Sequence, residues 1–381
     1  MRVILIVSLF FAFLRVSADP ILVGLNYGKE YLRATIFVES GTYSVTSNQE
    51  EMFVIKAGQT LDLTASSGKI NVFFDGKNLE GNTRIDLVPV SGSTFRIQPA
   101  GYKKSGRLYS AGLRAIAYQG RLQLINNIEL EDYVSGVIEA ESGKGHEIEY
   151  YKVQAVISRT YALNNLQRHA AEGYQLCDAT HCQVYHGRPY AEPMAFSAAR
   201  ATRDIIIVDA EINLITAAFH SNCGGKTVNA EEVWSKPLSY CVSRVDSFCL
   251  EMPHSRWEKS ITQERWNSYL SSKRSEYSIA QSDSQSYLSL SGRQYFLADS
   301  SLRIPSRVMR EDLQLKSTLF RTENTGEHIR FMGRGFGHGV GLCQEGAMRM
   351  AQLGYCYEDI IHFYYADVHL IPRYMLWFFR D

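Results

Sequence analysis

The sequence has no excess of charge of either sign. Its 381 residues include 40 Lys and Arg and 40 Asp and Glu, which give a formal net charge of zero at pH 7. Proteins that bind nucleic acid or anionic lipid usually carry a surplus of basic residues. We therefore expect no nucleic-acid partner and no electrostatic attachment to a membrane.

A long apolar run is also missing. Residues 3–14 form an apolar stretch after Arg2, and no later segment reaches the roughly 18 consecutive apolar residues of a membrane helix. A charged start, a short apolar segment and small residues up to Ala18 are typical of a secretory signal. The sequence predicts a signal peptide at residues 1–18 and an exported protein. Arg15, close to the cleavage point, leaves an uncleaved anchor as the alternative.

The cysteines do not make up an even set. There are seven, so in an exported protein at least one is free, bound to metal or paired with another chain. Cys241 and Cys249 lie close in sequence and are the best candidates for a disulfide. Cys343 and Cys356 flank a predicted helix, and we expect them to be ordinary buried thiols.

The patterns that are present predict two domains and an α+β fold. Residues 19–104 show short alternating apolar runs separated by Gly, Asn and Ser, which predict a β-rich domain without a cluster of chemically active residues. Residues 105–381 mix predicted helices and strands, with a helix from 131 to about 139 and another over about 146–170. A Ser- and Gln-rich stretch around 258–300 predicts a solvent-exposed excursion.

Two glycine-rich loops stand out in the second half. In "GRGFGHGVG", glycines alternate with other residues from Gly333 to Gly341, which suits a backbone that another molecule approaches closely. No GK[ST] follows, so this is not a phosphate-binding P-loop. The second loop, "HSNCGGKT" at residues 220–227, could supply a hydroxyl nucleophile or backbone donors. A tight structural turn is the alternative interpretation for both loops.

A pair of glutamates ends the first predicted helix. Glu139 and Glu141 lie between an apolar run and a glycine break. A carboxyl group at such an edge can be partly desolvated, which raises its pKa and makes it a usable general acid. The alternative is two solvated glutamates at a helix end.

"CDATHCQVYHG", at residues 177–187, offers metal ligands. Cys177, His181 and Cys182 are close enough to wrap one zinc ion, and His169 or His186 could complete a tetrahedral set. In an exported protein, a disulfide between Cys177 and Cys182 is the competing interpretation.

Five segments in order resemble the blocks of the stage II sporulation protein D family, which carries the SpoIID/LytB domain. They fall within about residues 105–370, whereas residues 19–100 carry little of the likeness. The matching segments are "LQLINNIELEDYVSGVIEAES", "KVQAVISRTYAL", "CDATHCQVYHG", "HSNCGGKT" with the following Val233-Trp234, and "GRGFGHGVGLCQEGAMRMAQLGY".

The resemblance implies bacterial peptidoglycan remodelling by a mixed α/β domain that forms a cleft. Family members include lytic transglycosylases, which cut between MurNAc and GlcNAc and favour glycan strands stripped of peptide. The family's catalytic glutamate falls on Glu141, with Glu139 in reserve, although Ser142-Gly143 replaces the usual Met-Pro. Other members are non-catalytic amidase enhancers. Glycan strands are thus the implied partner, with an amidase or another cell-wall hydrolase as a further one, in the periplasm or cell envelope.

The resemblance also assigns a metal and a binding surface. Some family members hold zinc near the cleft, which implies a structural zinc on Cys177, His181 and Cys182, with His169 added from spacing alone. The thiol-rich set disfavours a zinc amidase, which would need an open metal position. The matching blocks supply the predicted substrate-binding residues: Arg159, Gln183, Tyr185, Ser221, Gly224, Gly225, His338 and Gln344.

Overall fold

The structure, a computed structural model, describes residues 20–90, 92–101, 107–189, 193–234, 236–278, 295–299 and 302–378, with backbone only for 295–299, 377 and 378. The predicted signal peptide at 1–18 and part of the Ser- and Gln-rich stretch lie outside these residues. Helices and strands both contribute, and the N-terminal part is rich in strands, so the predicted α+β class is confirmed.

Twelve strands precede the first helix in the described residues. They are β1 Ile21–Gly24, β2 Arg33–Ser40, β3 Thr42–Ser47, β4 Glu50–Lys56, β5 Thr60–Ser66, β6 Lys69–Phe74, β7 Lys77–Asn82, β8 Arg84–Pro89, β9 Thr94–Pro99, β10 Tyr109–Ser110, β11 Gly112–Tyr118 and β12 Arg121–Ile128. Side chains alternate between the two faces of a strand. In β5 the alternate residues Leu61, Leu63 and Ala65 are buried, which gives the strand one core face.

The later elements alternate between helices and short strands. The helices are α1 Leu130–Ser142, α2 Ile148–Asn164, α3 Pro193–Ala201, α4 Glu231–Trp234, α5 Gln263–Tyr277, α6 Ser306–Asp312, α7 Gln344–Gln352, α8 Tyr357–Tyr364 and α9 Met375–Phe378. The strands are β13 Leu176–Cys177, β14 Ile205–Val208, β15 Phe219–His220, β16 Arg256–Thr262, β17 Tyr295–Asp299, β18 Leu302–Pro305, β19 Phe320–Asn324, β20 His328–Arg334, β21 Leu342–Cys343 and β22 His369–Pro372.

Both large sheets contain strands from each side of the predicted domain boundary between residues 104 and 105. A seven-stranded sheet has the order β13-β1-β12-β11-β8-β3-β4, and a six-stranded sheet has the order β10-β9-β2-β5-β6-β7. In the first sheet, Leu113 of β11 pairs with Leu87 of β8, and Cys177 of β13 pairs with Gly24 of β1. One hydrophobic core therefore extends from Ile21 to Val368.

A second, smaller core forms around the stretch that the sequence predicted to be an exposed excursion, mostly from residues that flank it. Strands β16, β20 and β19 form a three-stranded sheet, and Trp257, Trp266 and Phe331 are buried in a cluster separate from the main core. The Ser- and Gln-rich composition suggested solvent exposure, but part of this region is folded. Its first residues, up to Tyr277, form strand β16 and helix α5.

Arg159 ties the helices together from the interior. Its guanidinium group is fully buried and forms a bidentate ion pair with Glu131 of α1, at 2.9 and 2.6 Å. It also donates to the carbonyl oxygens of Ile205, at 2.9 Å, and Ala199, at 3.1 Å. All of these partners are groups of the protein, so this predicted substrate-binding residue serves as a junction of α1, α2, α3 and β14.

No helix of the described chain is both long and apolar enough to cross a membrane.

We predict that Arg159→Met destabilises the fold strongly. The change leaves the Glu131 carboxylate and two carbonyl groups without their buried partner, and the loss of one member of a buried ion pair costs about 3–5 kcal/mol. Arg121→Met, which breaks the exposed pair with Glu30, should cost no more than about 1 kcal/mol. Denaturant unfolding measures both values. Equal stability of the two variants would contradict the interior role of Arg159.

Candidate functional site

Glu141 lies in the last turn of α1, where the chain is about to turn at Gly143. Gly143 has a φ of 74°, a conformation that favours glycine and ends the helix. The Glu141 carboxylate is partly buried, and its Oε1 atom accepts a hydrogen bond of 2.6 Å from the backbone N–H of Val184. Among the described residues, no group donates to its Oε2 atom.

Burial raises the pKa of the Glu141 carboxyl group above its usual value, and the Val184 hydrogen bond opposes that shift without cancelling it. The C-terminal end of a helix also carries partial negative charge, which disfavours a carboxylate there. These effects favour the protonated form, as a general acid requires. Of the two alternatives for this position, Glu141 corresponds to the partly desolvated carboxyl group.

Beside Glu141, four potential metal ligands converge in what we name the first cluster: His169, Cys177, His181 and Cys182. One ligand atom from each lies within 4.8 Å of the others. The sulfur of Cys182 is 3.4 Å from His169 Nε2, and the sulfur of Cys177 is 3.8 Å from His181 Nδ1. His169 therefore completes the set, and His186 is not part of it.

The surroundings of the first cluster fit a structural zinc ion. His169 directs its other ring nitrogen, Nδ1, to Glu172 Oε1 at 2.7 Å, which is the usual support for a metal-bound histidine. The hydrogen bond between the two thiols lowers the pKa of Cys177 and raises that of Cys182, so the pair favours one thiolate, at Cys177. Two thiols and two imidazoles form a closed four-ligand set typical of structural zinc. None of the seven cysteines forms a disulfide in the structure, so it contains no Cys177–Cys182 disulfide.

The N-terminal segment contributes to this site, which the sequence did not indicate. The buried Asp178 carboxylate accepts hydrogen bonds from the backbone N–H groups of Asn26, at 2.8 Å, and Tyr27, at 2.9 Å. Arg107 pairs with the same carboxylate at 3.2 Å. These contacts place the Tyr27 ring in a stack with His181, with centroids 5.3 Å apart. The only sequence signal for this contribution was the presence of Asp178 within the 177–187 segment.

The glycine-rich loop packs against the 220–227 loop. Gly335, at φ 78°, and Gly337, at φ 113°, need to be glycine because an added Cβ would lie 2.6 Å from the Asn222 carbonyl oxygen and 2.7 Å from the His220 side chain, respectively. Gly224 accepts two hydrogen bonds from Arg334, at 2.8 and 3.1 Å, through its carbonyl oxygen. The close backbone approach is thus made by this protein's own loops.

His338 uses both of its ring nitrogens within the protein. Nε2 donates to the carbonyl oxygen of Phe219 at 2.9 Å, and Nδ1 accepts from the N–H of Val340 at 3.1 Å. Burial lowers the pKa of His338 to about 4. The imidazole is therefore neutral and holds the glycine-rich loop against β15, although it was predicted to bind substrate.

The remaining predicted substrate-binding residues occupy different environments. Tyr185 is fully buried and donates to Asn126 Oδ1 at 2.9 Å, so it packs in the core. Gln183 and Gln344 are almost completely buried, and their amide nitrogens have no partner among the described residues. Ser221 and Gly225 are partly exposed in the 220–227 loop.

The cysteines outside the first cluster differ from expectation. Cys249 lies 3.4 Å from Cys223, sulfur to sulfur, so the predicted pairing of Cys249 with Cys241 was wrong for this structure. Cys343 is buried as expected, but Cys356 is exposed. The expected pair was chosen by sequence proximity, which the fold overrides.

Comparison with known proteins agrees with the family resemblance seen in the sequence. Residues 118–208 match the family model described as stage II sporulation protein. Stage II sporulation protein D of Bacillus subtilis is 29% identical over 268 residues, covering 66% of this chain and 77% of that protein. A protein of Brachyspira hyodysenteriae described as uncharacterized is also 29% identical, over 285 residues, covering 74% of this chain and 76% of the relative.

A further relative is described as an amidase enhancer, also from Bacillus subtilis. It is 24% identical over 411 residues, covering 91% of this chain. This chain spans 54% of the length of that protein. Both types of protein in the predicted family are therefore represented among the relatives.

We predict that Cys182→Ser removes one zinc ion per chain relative to the parent protein. The serine hydroxyl is a much poorer zinc ligand than a thiolate, so the first cluster loses its closed set. Metal analysis of protein purified without added zinc measures the change. Cys356→Ser, at an exposed thiol outside the cluster, should leave the metal content unchanged. Unchanged metal content in Cys182→Ser, together with a mapped Cys177–Cys182 disulfide in the parent, would refute the site.

We also predict that His338 makes the fold sensitive to acid. The native state keeps the imidazole neutral down to about pH 4, whereas the unfolded chain takes up a proton near pH 6.5. Stability is therefore lost as the pH falls, by about 2 kcal/mol from this group between pH 7.5 and 5. His338→Gln should lose correspondingly less stability over that range, and the exposed His362→Gln should behave like the parent. Unfolding curves at both pH values decide the matter.

Proposed function

We propose that this protein, which takes part in cell-wall remodelling, is a lytic transglycosylase. The proposal starts from residues 118–208, which form a stage II sporulation protein family domain. Its substrate would be the glycan strand of peptidoglycan, cut between MurNAc and GlcNAc after removal of the stem peptides. Glu141 would be its single general acid and base. The protein would work outside the cytoplasm, in the periplasm or cell envelope.

The half-buried Glu141 carboxyl group is the observation that carries this proposal. Its pKa is raised by burial, one oxygen is fixed by the Val184 N–H, and the other accepts no bond from a described residue. A carboxyl group held in this way keeps one orientation and presents the second oxygen to a ligand. A raised pKa allows it to hold a proton until the glycosidic oxygen needs it.

The reaction balances with this one carboxyl group. Glu141 gives its proton to the glycosidic oxygen as the bond from that oxygen to MurNAc C1 breaks. The carboxylate then takes the proton of the MurNAc 6-hydroxyl while that oxygen forms a bond to C1. The products are a GlcNAc end with a free hydroxyl and a 1,6-anhydroMurNAc end, and no water is consumed.

A hydrolase of the usual type would need a second carboxylate flanking the bond. The neighbouring acid in the 177–187 loop, Asp178, is almost completely buried and accepts bonds from Asn26, Tyr27 and Arg107. Those contacts commit it to holding the loop. This favours the single-acid reaction over a two-carboxylate hydrolysis.

The first cluster would support the acid indirectly. A zinc ion there would cross-link Cys182 to His169 and so fix the loop whose Val184 N–H orients Glu141. Tyr161 lies in the same region: burial raises its pKa to about 12, and Glu141, Cys177 and Cys182 contribute to that shift. A change at the metal site would then also change the loop and the orientation of the Glu141 carboxyl group.

A second candidate function is a glycan-binding enhancer of an amidase. The similarity to a protein described as an amidase enhancer, which extends over 91% of this chain, favours it. A binding protein needs a glycan-binding surface but not a transferable proton. The two functions therefore separate on the chemistry of Glu141.

We predict that Glu141→Gln lowers the rate of glycan cleavage by roughly 10²–10⁴-fold, because the amide keeps the shape but has no proton to transfer. Mass spectrometry of peptide-free glycan digested with purified protein measures the release of 1,6-anhydro ends. Glycan binding, followed by co-sedimentation, should remain near the parent level.

Glu139→Gln is the matched control, because it makes the same chemical change two residues earlier on the same helix. It should keep most of the activity. If the parent binds glycan and releases no 1,6-anhydro ends, the enhancer function replaces the enzyme. Equal rates for the parent and Glu141→Gln would show that another group is the acid.

A further inference from the structure

Away from Glu141, the structure brings together three thiols and one carboxylate, which we name the second cluster: Cys223, Asp246, Cys249 and Cys343. One ligand atom from each lies within 4.8 Å of the others. We propose that the second cluster binds one zinc ion as a structural site, independent of the first cluster and of the proposed enzymatic activity.

The distances suit a metal better than a disulfide. The sulfurs of Cys223 and Cys249 are 3.4 Å apart, and Cys223 Sγ is 3.2 Å from Asp246 Oδ2. Around a tetrahedral zinc, two sulfurs are roughly 3.8 Å apart and a sulfur and an oxygen roughly 3.6 Å apart. A disulfide needs about 2.05 Å and would leave Cys343 beside it unused. For these two pairs, a movement of a few tenths of an ångström reaches the metal geometry.

The second cluster is buried and contains no cationic side chain. All four side chains are shielded from solvent, with Asp246 at 0% exposure. Within the described part of the chain, no Lys, Arg or His forms an ion pair with Asp246, and its neighbours are thiols and a tyrosine hydroxyl. A buried group of thiols and a carboxyl group without a cationic side chain is an environment in which proteins bind metal ions.

The groups around the ligands are arranged as they are around thiolate-bound metals. Cys343 Sγ accepts hydrogen bonds from the N–H groups of Cys223, at 3.2 Å, and Gly346, at 3.4 Å. Asp246 is oriented through Oδ1 by the Phe248 N–H and through Oδ2 by the Tyr364 hydroxyl, each at 3.0 Å. Such contacts orient ligands and stabilise their charged forms.

The donor set selects the metal class and its role. Thiolates favour zinc over magnesium or calcium, which prefer oxygen ligands. Four protein ligands leave no open position, which is typical of a structural site. A glycine is also required at position 346, because an added Cβ would lie 2.5 Å from Asp246 Oδ2. Helix α7 can therefore approach the cluster closely.

The site would join three segments that are far apart in sequence. Cys223 belongs to the 220–227 loop, Asp246 and Cys249 to a turn, and Cys343 to strand β21, which leads from the glycine-rich loop into α7. Strands β15 and β21 pair in parallel over two residues each, with His220 opposite Cys343. A metal at this point would lock that short pairing and both loops.

The test is the zinc content of the parent, Cys182→Ser, Cys249→Ser and the double variant, after dialysis against a weak chelator. We expect two, one, one and no zinc ions per chain. X-ray absorption of the zinc in Cys182→Ser should show three sulfur ligands and one oxygen. Cys241→Ser, at a buried thiol outside both clusters, is the matched control and should keep the parent content.

Retention of one zinc by Cys182→Ser is the deciding result, and it does not depend on whether Cys249→Ser folds. A Cys182→Ser protein without zinc would overturn the proposal, as would a Cys223–Cys249 disulfide mapped in the parent. A parent with one zinc that is kept in Cys182→Ser and lost in Cys249→Ser would support the second cluster and refute the first. None of these measurements uses glycan cleavage. A failure of the proposed function can therefore be distinguished from a failure of the second cluster as a zinc site.

Discussion

The close packing of the 177–187 loop against helix α1 is the constraint on which the site depends. A Cβ atom at Gly136 would lie 2.2 Å from the carbonyl oxygen of Gly187, and one at Gly187 would lie 2.3 Å from that of Leu108. The loop is therefore held between α1 and the segment before β10. That position brings the Val184 N–H to Glu141 and shields the carboxyl group from water. A looser loop would restore the hydration of Glu141 and lower its pKa towards the value of a free glutamate.

Both clusters lie where the chain has little regular structure to hold it. Strands β13, β15 and β21 have two residues each, too few for a stable ladder on their own. The buried carboxylates of Asp178 and Asp246 and the half-buried imidazole of His338 take over part of that task through bonds to backbone groups. The main role of these polar side chains is thus to stabilise the loop backbone. This explains why several residues that match the family's blocks lie in the interior.

The N-terminal strands belong to the same structural unit as the site. Strand β1 pairs with β13 at the start of the 177–187 loop, and Tyr27 stacks on His181. The segment that carries least of the family likeness therefore shapes one side of the first cluster. Substitutions in it should be judged by their effect on the loop as well as on the β-rich part.

The sequence by itself determined the local features. Helices α1 and α2 and the grouping of Cys177, His181 and Cys182 follow from patterns within about 20 residues, and the α+β class follows from the succession of such patterns. For Glu141 the local sequence left a solvated helix end as the alternative. Such patterns report helix periodicity, turns and ligand spacing directly. Only the tertiary structure decided the rest. Cys223, Cys249 and Cys343 span 120 residues and meet because β15 pairs with β21. Arg159 and His338 are polar in sequence, yet the fold buries Arg159, partly buries His338 and supplies partners for both from distant segments. Burial and pairing across such separations depend on packing of the whole chain, which no local pattern records.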